Sequence, residues 1–576
     1  MRFIELAGYF ERLEKTSKRL EMFDILAELF QKASALEIDK IIYLVQGELL
    51  PPFHGLMIGM SEKYLLRAIA RSANRPLPEV ETLFRTEGDL GKTAEQLVRG
   101  EGRGLGVAEI YHRLFLIAEV SGEGSVEKKI DALSALLMDA SPKEAKYIAR
   151  FVIGKLRLGA GDATVMEALA KARCDRSLRP LLERGYNITS DLGLTARVFF
   201  EKGEDGIGAM KVRMGYPIRP ALCERLSSAE EIVEKIGRCS VEMKYDGFRC
   251  QVHKSKNEVA IFSRNLERTT PMFPEIVEAI RRHLSAPEAI VEGEALAYDE
   301  ASGSLLPFQV TSQRKRKHGI EEAAKSFPLR LYLFDLLYLN HEDYTSRPYS
   351  ERRAMLASLI KKNNTIFLSE AIESDDPKAI VRFFDGGIER GLEGVVAKRL
   401  DRPYAAGSRN FNWIKLKRSY KGELSDSIDL CIVGYFVGKG HRASFGIGGI
   451  LGAVYDPESD AFKTISRIGS GFTEEEWIRL KKVLDDSKAP HRPPRVDSLV
   501  EPDVWVMPTY VVTVTADEIT RSPSHTAGRD EEGIGYALRF PRVQGGLRAD
   551  KRPEDSTSVG EIIEMFRSQR HIHLKE

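Results

Sequence analysis

Along residues 1 to about 215, apolar positions recur at helical spacing. In SPKEAKYIARFVIGKLRLGAG, Ile148, Phe151, Val152 and Leu156 form one stripe. Ser141 is placed to cap it, Pro142 suits a first turn, and Glu144 completes a capping box. Gly159 and Gly161 are expected to stop it, and Asp162 to cap the next helix, ATVMEALAKA. AEIYHRLFLIAEV repeats the pattern, and no fixed period marks a solenoid.

The texture changes near MGYPIRPALCERL, where Pro217 and Pro220 break the period and suggest a linker. From there to about residue 420, VEMKYDGFRCQVHK, NEVAIFS, AIVEGEALAYD, LRLYLFDLLYL and EGVVAKR predict strands. Helices fit between them at FPEIVEAIRRHL and SERRAMLASLIKK. Beyond Lys421, DLCIVGYFVGKG, GGILGAVYD, AFKTISRIG and WVMPTYVVTVTA predict a small β-barrel or sandwich. TSVGEIIEMFRSQR then makes an amphipathic helix through Val559, Ile562, Ile563 and Phe566, expected to dock on its own domain. The predicted fold class is multidomain α+β: a helical domain over 1–215, an α+β domain over 216–420 and a β-barrel with a terminal helix over 421–576.

Composition narrows the function. The 576 residues suit three or four domains at about 150 residues each. With 86 Lys plus Arg against 85 Asp plus Glu, a bulk polycationic role is excluded, and a nucleic-acid site must come from local segregation of charge. The five cysteines, Cys174, Cys223, Cys239, Cys250 and Cys431, are scattered and form no CxxC pair, which argues against a zinc module or disulfide framework. No apolar run reaches the ~18 residues of a membrane span. The first residues, MRFIELAGYFERLEK, carry acids and bases throughout and lack a signal-peptide core, so a cytoplasmic or nuclear location is expected.

Two apparent motifs lead nowhere. GDLGKT has the tail of a phosphate-binding loop, but Thr86 stands where its first glycine belongs. GIGGILG around Gly446 lies among strands and reads as turn glycines of a hairpin. The eleven histidines form no ligand cluster.

The informative segment is Glu242-Met243-Lys244-Tyr245-Asp246-Gly247-Phe248-Arg249. Lys244 ends an apolar-flanked strand before an Asp-Gly turn, where burial and neighbouring cations would depress its pKa and free the amine as a nucleophile. Alone, such a segment reads more readily as a surface lysine beside a turn. It is followed in order by Ser263-Arg264-Asn265, Val291-Glu292-Gly293-Glu294-Ala295, Leu333-Phe334-Asp335-Leu336, Glu393-Gly394-Val395-Val396-Ala397-Lys398 and Trp413-Ile414-Lys415-Leu416-Lys417. Then come Leu538-Arg539-Phe540-Pro541-Arg542 and Arg548-Ala549-Asp550-Lys551-Arg552, where five bases face one acid between Arg539 and Arg552.

Six ordered segments resemble the nucleotidyltransferase signature of ATP-dependent DNA ligases and capping enzymes, and the last pair resembles the final ligase motif carried on an OB-fold. The helical region, with YLVQGELLPPF, resembles the DNA-binding domain of archaeal and eukaryotic-type DNA ligases, and QVTSQRKRKHGIEEA also fits that type. One departure is Thr513, where such ligases often carry an acid.

The resemblance implies a nick-sealing enzyme of replication, repair and recombination, acting on nicked double-stranded DNA with ATP and Mg²⁺. Lys244 would take up AMP. Arg249, Lys415 and Lys417 would face phosphates, and Glu393, with Glu294, would bind the metal. Phe334 would stack on adenine, Glu242 address the base edge, Arg264 and Glu294 orient the ribose, and Arg409 reach the nucleotide or phosphate side. Arg539, Arg542, Asp550 and Lys551 would organise the pyrophosphate end, and Arg157 would contact DNA. The resemblance further implies a monomer, a cytoplasmic and nucleoid-associated location, and a sliding clamp as further partner, although no glutamine-led, aromatic-ended clamp-binding peptide stands in the chain. Two rivals remain: the same covalent chemistry on RNA, as in capping or RNA ligation, and a DNA-binding protein with a silent site.

Overall fold

The computed structural model describes residues 1–573 except 17, 157, 174, 302, 307, 315–318, 418–426 and 439–445, so Arg157 and Cys174 lie outside the described residues. The chain forms two compact units. The first comprises Met1–Tyr186, Asp191–Met210 and Asp486–Arg495; the second comprises Asn187–Ser190, Lys211–Asp485 and Val496–Glu576.

The first unit is helical around one apolar core that includes Phe10, Leu26, Ile41, Leu133 and Ile148. Ser141 and Glu144 form the expected capping box, with the Ser141 N–H donating to Glu144 at 2.8 Å. The helix Pro142–Val152 nonetheless ends before Leu156, because the chain turns through Gly154 at φ +67°. Asp162 occupies the first turn of the helix Asp162–Ala172, and Gly161 takes the cap. In GDLGKT, the Asp89 carboxylate accepts from the backbone N–H of Gly91 and Lys92, which makes the segment a capped helix start. Asp89 also receives the buried Arg150 guanidinium at 2.7 Å.

The second unit holds the expected strands. One five-stranded sheet runs in the order Leu222–Arg225, Arg409–Lys417, Gly394–Arg399, Cys239–Lys244, Ala371–Ser374. A second sheet joins Glu258–Ser263, Phe248–Ser255, Glu288–Ala297 and Leu329–Leu339 in that order. The strands Cys239–Lys244 and Phe248–Ser255 are consecutive in sequence yet lie in different sheets. The crossover through Tyr245-Asp246-Gly247 requires glycine at 247, since a Cβ there would collide with the Ala295 carbonyl.

A third sheet carries Val504–Val506, Ile428–Phe436, Gly449–Asp456, Ala461–Ile468 and Val496–Asp497 in order, with Val511–Thr515 joining Ile428–Phe436 to Arg542–Leu547. WVMPTYVVTVTA splits into two strands at Pro508, which has no N–H to give a ladder. The strand-rich C-terminal region is present, but among the described residues no pairing closes its sheet into the expected barrel. The helix Val559–His573 docks on this region through Ile562 and Met565.

Candidate active site

A cavity of about 1220 Å³ opens over the five-stranded sheet and is lined by residues from each of the three sheets described above. Its floor follows from strand alternation, which puts every second residue on one face. Pairing sets those residues in rows across three strands. Lys417, Gly394 and Lys244 are in register, as are Lys415, Val396 and Glu242 in the next row. Trp413 and Lys398 stand opposite each other one row further. Gly394 sits between two lysines because a Cβ there would run into the Leu416 carbonyl.

Glu393, the residue before Gly394, pairs with both Lys244 and Lys417. These cations outweigh burial and hold the Glu393 carboxyl far below the ordinary range. The sequence led us to expect a depressed Lys244. The structure reverses this: burial alone would lower its pKa, but Glu393, Glu294 and Asp246 lift it above the ordinary lysine value. Lys244 is therefore held as an ammonium by its nearest carboxylate. Glu294 behaves oppositely, with burial pushing its carboxyl up to about 7 against the pull of Lys244 and Arg249.

The remaining cavity residues sort by partner. Arg249 donates to the Ala221 carbonyl and to Glu292, both at 2.8 Å, and Glu292 also accepts from Tyr404 at 2.7 Å. Phe334 lines the cavity edge-on to Trp413, with ring centroids 6.0 Å apart. Glu242 is buried and accepts from Tyr349, Arg353 and Lys398. Arg264 donates to Asp555 at 3.3 Å.

The C-terminal region closes one side. Its terminal helix does more than dock on its own domain: Glu561, at the third helical position, pairs with Lys415 and with Arg409 at 3.0 Å. Burial pushes Lys415 down to about 8 despite this pairing. Lys551 pairs with Asp429, and Asp550 accepts from Arg548 at 2.8 Å. Thr513 stands in register with Asp429 and donates to it at 2.7 Å, so an acid on the neighbouring strand fills the place the sequence left in doubt. Asp550 and Lys551 line the cavity; Arg539 and Arg542 do not, being exposed on the Gly535–Arg539 and Arg542–Leu547 strands.

Glu292, Tyr404, Asp555, Glu561 and Lys398 went unassigned from sequence. Glu292 and Lys398 stand inside quoted segments, and only strand alternation and burial single them out. Asp555 and Glu561 carry no local signal beyond a capping pattern, since their partners lie 291 and 146 residues away. Among the described residues no group of three or more His, Cys, Asp or Glu side chains gathers as a metal nest. The carboxylates of Glu294 and Glu393 both line the cavity and offer oxygen donors, a set that fits a hard ion whose other ligands are water and substrate phosphate.

Comparison with known proteins agrees along the chain. Residues 2–170 match the family model described as DNA ligase N terminus, 220–417 the ATP dependent DNA ligase domain, and 443–551 the ATP dependent DNA ligase C terminal region. The probable DNA ligase of Dictyoglomus turgidum is 53% identical over 577 residues, covering 100% of this chain and 99% of its own. The DNA ligase of Sulfurisphaera tokodaii is 44% identical over 98% of both chains. A solved structure described as Pmar-Lig_PreS3 aligns with 94% of this chain and 98% of its own at 18% identity and a TM-score of 0.45. The chain belongs to the ATP-dependent DNA ligase family. It is accordingly an enzyme, one that uses ATP and acts on DNA. Among the described residues no helix is long and apolar enough to cross a membrane.

Proposed function

We propose that this ligase seals nicks in duplex DNA by three phosphoryl transfers in which Lys244 is the nucleophile of the first. The observation that carries the reading is the row Lys417–Gly394–Lys244, which sets a lysine amine at a cavity wall with Glu393 between it and a second cation. In the first step Lys244 Nζ loses its proton and attacks the α-phosphorus of ATP, forming a P–N bond as pyrophosphate leaves. In the second, an oxygen of the DNA 5′-phosphate attacks the AMP phosphorus and Lys244 departs. In the third, the 3′-hydroxyl attacks the activated 5′-phosphorus, a phosphodiester forms and AMP leaves.

Phosphoryl transfer depends chiefly on position and charge. Arg249, Lys415 and Lys417 supply cations along the cavity, Phe334 a stacking face, and Arg264, Arg409, Asp550 and Lys551 the rim. Glu294 and Glu393 would hold Mg²⁺, which when bound supplies charge neutralisation at the phosphates. Glu393 would then be drawn off Lys244, releasing the amine from the partner that keeps it protonated. The helical region, 1–215, would give phosphate contacts, and 216–420 and 421–576 would act as the adenylation and OB-type domains. One copy acts on nicked duplex DNA in the cytoplasm; a sliding clamp is the further partner to test, by co-elution.

The test is a pulse-chase. Protein labelled with α-³²P-ATP and freed of nucleotide is mixed with nicked duplex carrying a 5′-phosphate. Label is expected to pass from protein to DNA and then to free AMP as the nick closes. Label that stays on protein, or passes equally to an RNA 5′-end, contradicts the reading.

A further inference from the structure

The strand Phe248–Ser255 is apolar on one face and polar on the other. Phe248, Cys250 and Val252 pack into the apolar core of the second sheet, so alternation puts Arg249, Gln251 and His253 together on the opposite face. Gln251 and His253 are nonetheless buried, as is Glu292, which stands directly opposite Gln251 on the Glu288–Ala297 strand. An apolar pair would fill this space at less cost, because every buried polar group must find a partner. The polar face therefore calls for a use beyond packing.

Its hydrogen bonds form one connected set with the segment 215–221. The Gly215 N–H donates to His253 Nδ1 at 3.1 Å. Burial pushes His253 down to about 3, so the neutral ring carries its proton on Nε2 and donates to Gln251 Oε1 at 3.0 Å. Gln251 Oε1 also accepts from the Ile218 N–H at 2.7 Å, while its Nε2 donates to the Ile218 carbonyl at 2.9 Å and to Glu292 Oε1 at 3.2 Å. Both lone pairs and both N–H groups of this amide are used, which fixes its orientation. Glu292 passes the constraint on, since its Oε2 accepts from Arg249 at 2.8 Å and from the Tyr404 hydroxyl at 2.7 Å. Ala221 closes the set: its carbonyl accepts from Arg249 and its N–H donates to Tyr404, both at 2.8 Å. Arg249 is the member that lines the cavity, and Gln251 is the member joined to both Ile218 and Glu292.

We propose that Gln251 is a positioning residue for adduct formation: held by Ile218 and His253, its amide sets the Glu292 carboxylate that fixes Arg249 toward the phosphates of ATP. The proposal rests on the reading of Lys244 as the group that takes up AMP with Arg249 facing the phosphates, and names what holds that cation in place. A misplacement of about 1 Å in such a group costs about a hundredfold in rate.

The experiment is a double-mutant cycle on lysyl–AMP formation. Wild type, Gln251→Met, Arg249→Met and the double variant are compared for maximal rate, for KM of ATP and for the fraction of protein carrying AMP at completion. Gln251→Met is expected to lower the maximal rate about tenfold or more, to change KM less, and to reach the wild-type fraction. In the Arg249→Met background the same change is expected to alter the rate by less than about twofold, because Gln251 acts only through that guanidinium. Effects that multiply in the double variant overturn the proposal. So does Gln251→Met with the wild-type rate, or with that rate in a smaller competent fraction, the mark of an amide that only supports the fold. Should Gln251→Met fail to fold, Gln251→Glu enters the same cycle with the same expectation, since it keeps the volume and sets a second carboxylate against Glu292. Wild type that forms no adduct overturns the reading of Lys244, and the proposal with it.

Discussion

Glu561, in the first turn of the C-terminal helix, pairs with Lys415 on the five-stranded sheet and places a carboxylate among cations proposed to receive phosphates. It also accepts from the N–H and hydroxyl of Ser558 at 2.9 and 3.1 Å, so the helix cap fixes its position. A carboxylate there competes with nucleotide phosphate for Lys415 and Arg409. Glu561→Gln is expected to lower the KM for ATP in adduct formation several-fold. An unchanged KM would contradict this competition, and a higher one would show that the pairing assists nucleotide binding.

Lys244 and Glu393 form the second pair with a measurable consequence. Because Glu393 holds the Lys244 pKa up, the amine is expected to react slowly with acylating reagents near neutral pH and faster as pH rises. Glu393→Gln removes the nearest anion, and competitive labelling of the Lys244 peptide is expected to show the titration moved to lower pH. Coincident profiles for the two proteins would contradict the assignment.

Glu294 gives a stability signature. Its folded-state pKa of about 7 exceeds the ordinary 4.5, so between these values the folded chain holds a proton that the unfolded chain has lost. Stability from this group is present below the lower value and is lost as pH rises through the upper one. In nucleotide-free protein, the melting temperature of Glu294→Gln relative to wild type is expected to rise from about pH 5 to about pH 8. A constant difference would place the Glu294 titration elsewhere.

Gly394 is tested by adding one carbon. Gly394→Ala drives a methyl into the Leu416 carbonyl between Lys244 and Lys417, and is expected to cost about 1–3 kcal/mol in urea unfolding. Adduct formation should fall further than stability alone explains. A variant with wild-type stability and rate would show that the strands part without consequence.

Much of this was legible in the chain. Alternation in LRLYLFDLLYL marked the Leu329–Leu339 strand, and Ser141 with Glu144 marked a helix start that the structure keeps. The cavity residues around Lys244 were visible as ordered short segments because each segment lies on a strand or at a strand end, and strands preserve local spacing. What escaped were partners joined only by the fold. Glu561 lies 146 residues from Lys415 and Asp555 lies 291 from Arg264, distances at which no periodicity carries information. The Lys244 pKa was misjudged for the same reason, since Glu393 is 149 residues away and its charge outweighs the burial that the sequence did suggest. The barrel was inferred from strand content, which does not determine whether the sheet's edges meet.

The most direct measurement of the central claim is peptide mapping by mass spectrometry after incubation with ATP and Mg²⁺ in the absence of DNA. The account predicts one acid-labile AMP on the peptide containing Lys244, removed by pyrophosphate and absent from Lys244→Ala. AMP on any other residue, or an equal yield from Lys244→Ala, would contradict it.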